Sequence, residues 1–266
     1  MAKALYRLAG LRELPANLNC DRPEFVSEET LMKNNFLHFI VSKLTQWWFK
    51  DSPVRVSSND LGFSYIVKYS GEVKSTSDYL PMLIALHGDG DTVENFYETA
   101  LDKINVPARI ILIRGPISHE CGSVWPYSIA QFEKYGKAFS EAVDILSIKY
   151  PTIGKAILLG FSGGGGMAYY QAVKQGDSYS YIFPISSFIS KEKLGSTSSK
   201  PSAKVYAYHG ESDEVIAFSE GKKTVKLLKK NKVSVCFTEF ESGHHGLFAE
   251  MKSEITQAIE KKLKSL

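Results

Sequence analysis

Four short apolar runs punctuate the chain: Leu80–Leu86, Arg109–Ile113, Ala156–Leu159 and Lys204–Tyr208. Runs of this length and composition predict strands buried on both faces. Val233–Phe240 alternates more, Tyr181–Ile185 is a further short candidate, and Phe63–Tyr69 reads as a half-exposed strand leading into a hairpin-like polar loop over 70–79. Between the runs lie stretches of helical periodicity: Thr92–Ile104, Tyr135–Ser147, Gly164–Lys174, Ser219–Lys230 and Leu247–Leu263. Strands that alternate with helices predict a mostly parallel central sheet with helices on both faces.

Ahead of this pattern, Glu28–Lys50 predicts a long amphipathic helix. Ser27 caps it, Glu28 and Glu29 suit the positive end of its dipole, and Leu37, Ile40, Val41, Leu44, Trp47 and Trp48 recur at helical spacing. Asp51, Ser52 and Pro53 end it. The domain reading is thus an N-terminal helical extension over 1–60 and an α/β domain over 61–266. The extension is either an element packed on the core, a cap over the site, or a surface for a partner or lipid.

Composition narrows the function little. A net charge of +3 gives no basic surplus for nucleic acid, and the lysines between 222 and 232 read as the solvated face of an amphipathic helix. The three cysteines, Cys20, Cys121 and Cys236, form no metal-ligand pair, which fits reduced thiols. No apolar run reaches membrane-span length and the N-terminus does not read as a signal peptide, so a cytoplasmic location is expected. The sequence gives no oligomeric state.

Chemistry concentrates in four segments. The run Ala156-Ile-Leu-Leu enters Gly160-Phe-Ser162-Gly-Gly164, and a helix of small residues leaves it. This strand–G-x-S-x-G–helix context predicts a nucleophile on a strained turn, where side chains two before and two after would collide. The helix start aims backbone N–H groups at a developing oxyanion. No Gly-Lys-Ser/Thr follows, so a phosphate loop of the Walker type is excluded. The second segment, His87-Gly-Asp-Gly-Asp91, closes a buried strand. The oxyanion donors predicted are the main-chain N–H groups of Gly163 and Asp89, with His87 holding the loop. Asp89 and Asp91 lack partners for a metal site.

A serine hydroxyl needs a base and an orienting acid, and where the serine sits on a strand–G-x-S-x-G–helix turn they follow it in the order acid, then histidine. Downstream of Ser162 the histidines are His209, His244 and His245. Asp213, after the Lys204–Tyr208 run, is the candidate acid, with Glu211 and Glu214 as lesser options, while His209 at the strand end shapes the turn. His244, following Gly243 on a late loop, is the candidate base and His245 its rival. Gly90 and Trp125 are candidate substrate-binding residues, the latter in a 115–135 loop that also carries His119 and Tyr127.

Taken together, His87-Gly88-x-Gly90-Asp91, Gly160-Phe-Ser162-x-Gly164-Gly165, His209-Gly210-x-x-Asp213 and Gly243-His244 resemble the phospholipase/carboxylesterase family of α/β-hydrolases, which includes acyl-protein thioesterases. The resemblance runs from about Leu80 to the C-terminus. It departs at two positions. The family often has glutamine where this chain has Gly163, and an apolar residue where it has Asp89. The implied reaction is cleavage of a small acyl ester or thioester through Ser162, His244 and Asp213, with neither metal nor organic cofactor. The competing readings are a hydrolase-fold binding protein without turnover and a small peptidase or acyltransferase.

Overall fold

The computed structural model describes residues 54–56, 62–76, 78–119, 122–195, 200–246 and 252–266. The chain divides into two units, Met1–Lys50 and Asp51–Leu266. The first, and with it the helix expected over 28–50, lies outside the described residues.

The second unit is built on an eight-stranded sheet. In chain order its strands are β1 (Val54–Val56), β2 (Phe63–Ser70), β3 (Met82–Leu86), β4 (Ala108–Ile113), β7 (Ala156–Phe161), β8 (Tyr179–Ile185), β9 (Lys204–Gly210) and β10 (Ser234–Phe240). The spatial order is β1-β2-β4-β3-β7-β8-β9-β10. The pairs β1–β2 and β2–β4 are antiparallel, and every pair from β4 to β10 is parallel. A short antiparallel hairpin, β5 (Ile117–His119) and β6 (Gly122–Val124), stands apart.

The helices are α1 (Val93–Phe96, continued by a wider turn over Tyr97–Leu101), α2 (Ile129–Lys149), α3 (Gly163–Lys174), α4 (Lys191–Leu194), α5 (Phe218–Lys230) and α6 (Lys252–Leu263). Strand alternation divides the core between the two faces of the sheet. Met82, Ile84 and Leu86 of β3 pack with Phe139, Leu146 and Met167 of α2 and α3. Leu83 and Ala85 pack on the opposite face with Val93, Phe96, Ile255 and Ile259 of α1 and α6. All residues of β3, β4 and β7 are buried, as strands covered on both sides require.

Three expectations change. The 70–79 segment is no hairpin, because β4 lies between β2 and β3 and the segment crosses past it. The β2 strand is more buried than expected, since Phe63, Tyr65, Ile66 and Val67 all sit in the core. Helix α2 begins at Ile129, ahead of the expected Tyr135. Ser128 and Gln131 form a reciprocal capping box there, at 3.2 and 3.1 Å, which satisfies donors that a new helix leaves orphaned.

The connections set the site's place. From β3 the chain moves to β4 on one side, and from β7 to β8 on the other. The carboxyl ends of β3 and β7 therefore flank a topological switch point, where open α/β sheets form their ligand crevice.

Candidate active site

Ser162 follows β7 with φ 51° and ψ −117°, a conformation that side-chain-bearing residues rarely adopt. Its glycine neighbours explain how the turn closes. A side-chain carbon on Gly160 would strike the backbone of Gly164 and Gly165, and one on Gly164 would strike the backbone of Leu86 and His87. The turn is pinned by Ser162 N donating to Ile185 O at 3.0 Å and by Ser187 Oγ donating to Ser162 O at 2.6 Å. Ser187 carries no signal in the sequence; only the sheet order brings it here.

The loop after β3 is held from behind by His87. Gly115 N donates to Nε2 at 2.9 Å, so the ring proton sits on Nδ1, which donates to Gly88 O at 2.6 Å. Ser123 Oγ also reaches Nε2, at 3.1 Å. Burial lowers the pKa of this imidazole, which keeps it neutral and suits it to structure rather than proton transfer. Trp125, expected to touch substrate, lies behind the cavities instead. It is 1% exposed, and its indole donates to His87 O at 2.9 Å. Gly90 lines the larger cavity with φ 81°, and its N–H donates to Ser123 O at 2.9 Å.

Asp213 follows β9 and is buried. Its Oδ1 accepts from Val215 N at 3.0 Å and Ile216 N at 2.7 Å, which anchors the carboxylate before any partner arrives. His244 Nδ1 donates to Asp213 at 2.8 and 3.0 Å. That bond leaves Nε2 as the lone-pair nitrogen of a neutral ring. His209 Nε2 donates to Ile216 O at 2.9 Å and lies 3.3 Å from Asp213 Oδ2, so it props the acid from the other side. Glu214, one of the lesser acid candidates, accepts from the His244 main-chain N–H at 3.2 Å and so holds the loop rather than the ring. Burial lowers the His244 pKa from 6.5, against the opposing pull of Asp213. The ring also packs on Phe161, 4.9 Å between centroids. His245 is exposed and lies edge-on to His244 at 5.0 Å.

Two cavities meet at Ser162. One, of about 710 Å³, is lined by Asp89, Gly90, Asn95, Phe96 and Phe161. The other, of about 390 Å³, is lined by Tyr127, Phe132, Gly163, Phe188, Ile216 and His244. Asp89, Ser162 and His245 border both. The main-chain N–H groups of Gly163 and Asp89 donate to no acceptor among the described residues, and neither does the Ser162 hydroxyl. The geometry thus joins Asp213 to His244 and leaves the Ser162 hydroxyl and the two main-chain N–H groups without an acceptor beside the cavities. No group of three or more His, Cys, Asp or Glu among the described residues is placed to hold a metal ion. None of the described helices is long and apolar enough to cross a membrane.

Comparison with known proteins agrees with this architecture. A carboxylesterase from Bacillus cereus is 16% identical with a TM-score of 0.58, covering 75% of this chain and 96% of its own. One from Mesorhizobium loti is 15% identical at a TM-score of 0.62, covering 80% and 99%. Zea mays acyl-protein thioesterase 2 is 22% identical at 0.54, covering 75% and 98%. Likeness at these identities is likeness of fold. No curated protein matches significantly by sequence. The phospholipase/carboxylesterase family model matches residues 128–263, from the α2 cap to the end of α6. The chain therefore belongs to the phospholipase/carboxylesterase family, on an α/β-hydrolase fold that supports ester hydrolysis.

Proposed function

We propose that the protein is a serine carboxylesterase or thioesterase working through Ser162, His244 and Asp213. The observation that carries this reading is the 2.8 Å bond from His244 Nδ1 to a preanchored Asp213, on a loop that shares a cavity with Ser162 on its strained turn.

The chemistry follows from the open groups. Ser162 Oγ attacks the acyl carbon while His244 Nε2 takes its proton, and Asp213 stabilises the imidazolium that forms. The oxyanion lies against the Gly163 and Asp89 N–H groups. His244 then protonates the departing alcohol or thiol. Water, activated by the same imidazole, attacks the acyl-enzyme and releases the acid. The hydrogen bond from serine to histidine closes when substrate arrives, as is common in this chemistry. Each step uses side chains and water, so the mechanism calls for no cofactor. The exposed, free Cys236 suits a reducing, cytoplasmic compartment.

The test is hydrolysis of p-nitrophenyl acetate, butyrate and octanoate by wild type and Ser162→Ala, with fluorophosphonate labelling of both. Wild type is expected to turn over and label. Ser162→Ala is expected to do neither, and the chain-length profile sizes the acyl pocket. Wild-type protein that neither turns over an ester nor labels would overturn the reading in favour of a binding protein on this fold.

A further inference from the structure

Asp89 sits where a carboxylate is electrostatically costly. Its own N–H is one proposed oxyanion donor, and its carboxyl group lies over the α-carbon of Gly163, the other. A side-chain carbon at Gly163 would strike all three carboxyl atoms of Asp89. The two positions at which the sequence departs from the family pattern are therefore in contact: the bare glycine is what gives the acid its place. The carboxyl is held there by Trp125 N, which donates to Oδ1 at 2.7 Å, with the Tyr127 hydroxyl nearby. A carboxylate has room for about four hydrogen bonds, so this one leaves acceptor capacity on a side chain that borders both cavities.

A negative charge beside a developing oxyanion opposes it unless something positive lies close by. His87 and then His119 attract the carboxylate to the extent that they carry a proton, His245 borders both cavities, and Lys193 lines the smaller one. None of the four forms an ion pair with Asp89 among the described residues. A substrate can bring the missing charge itself. Because Asp89 borders both cavities, a substituent a few bonds from the ester carbonyl meets it whichever cavity the acyl chain enters.

Resting on the esterase reading, we infer that the Asp89 carboxylate determines specificity, favouring acyl esters with a protonated amine near the scissile carbonyl and disfavouring those with a carboxylate there. The effect belongs to the transition state as well as to binding, since the substrate's cation offsets the carboxylate's repulsion of the oxyanion. Burial raises the Asp89 pKa, against the hydrogen bond from Trp125. The preference is thus complete above that raised pKa and fades as pH falls through it.

Three ethyl esters of matched shape make the test: ethyl butanoate, ethyl 3-aminopropanoate and monoethyl succinate, followed by pH-stat with wild type and Asp89→Asn. Taking ratios within each protein removes any change in overall rate. The kcat/KM ratio of cationic to anionic ester is expected to fall at least about tenfold in Asp89→Asn. In wild type alone, which covers a variant that fails to fold, the ratio of cationic to neutral ester is expected to fall as the carboxyl protonates. Turnover with a ratio indifferent to the substitution, or with a wild-type ratio flat in pH, overturns the assignment of Asp89 alone. Wild type that hydrolyses none of the three and is not labelled by fluorophosphonate overturns the esterase reading, and this inference with it.

Discussion

As the proposed base, His244 has to be neutral to take a proton, and its surroundings favour that state. Burial holds the pKa below 6.5, so kcat/KM is expected to be flat through neutrality and to fall as pH drops through the lowered value. A pH–rate profile whose acid limb lies clearly above 6.5 would contradict this. The same shift couples to stability. The unfolded chain takes up this proton first, so this histidine's contribution is present above its unfolded pKa and is lost as pH falls below it. Replacing Asp213 by Asn removes the charge that opposes desolvation and stabilises the imidazolium. Loss of about 10⁴ in kcat is expected from the analogous change in other triads. Near-wild-type turnover in Asp213→Asn would show that the acid only supports the loop.

Single residues were legible to different degrees. Ser162, Asp213 and His244 stand out as candidates because turn chemistry and strand ends mark their positions. The structure brings Asp213 and His244 into contact, 31 residues apart in sequence. Trp125 could not be placed, since its composition suits a pocket wall as well as a buried prop. Ser187 and Glu214 act through main-chain contacts that depend on the neighbouring strand, and spacing along the chain says nothing of those.

At the scale of elements, apolar runs identified the parallel strands β3, β4, β7 and β9, where burial leaves a near-continuous signal, whereas the more exposed β10 showed as alternation and β8 as a further short candidate. The β5–β6 hairpin was hidden, being three residues a side, Ile-Ser-His against Gly-Ser-Val, too short to show a period. Its role is in contacts rather than burial, with Gly122 packed on the backbone of Gly90 and Asp91. The start of α2 was hidden because its first turn and a half buries only Phe132 and so shows no apolar stripe, although the Ser128 and Gln131 spacing encodes it. Removing that cap with Ser128→Ala is expected to cost about 1 kcal/mol in denaturant unfolding without altering the site. Further along α2, Gly136 meets the Tyr170 ring of α3, with no space for a side chain. Gly136→Ala is expected to destabilise by about 1–3 kcal/mol through overpacking, despite alanine's better helix propensity. A stabilised Gly136→Ala would show that the helix crossing relaxes freely.

Across the whole molecule, the sheet separates chemistry from support. The carboxyl ends of β3, β7 and β9 carry Asp89, Ser162 and Asp213, whereas the opposite end is tied by Arg109 at the start of β4. This guanidinium is fully buried, donating to Pro151 O at 2.7 Å and to Thr76 O and Asp78 O at 2.8 and 3.2 Å. It lies over the Tyr69 and Tyr150 rings at 5.7 and 5.2 Å. Arg109→Met would strand those carbonyls, and a loss of about 2–4 kcal/mol in unfolding free energy is expected with kcat unchanged. A fall in kcat at unchanged stability would show that the two ends of the sheet are coupled.

The ties between the β3 loop and the hairpin have a consequence for how the site opens. Gly90 N donates to Ser123 O, Ser123 N to Asp91 O, and Trp125 N to the Asp89 carboxyl. None of these amides can meet solvent deuterium unless the loop lifts from the hairpin, and once one bond breaks the others lose their register. Gly90, Ser123 and Trp125 should therefore exchange hydrogen as one cooperative unit with a shared opening free energy. The Asp89 N–H, the proposed oxyanion donor, would then be lost and regained with the whole loop at once, never by fraying.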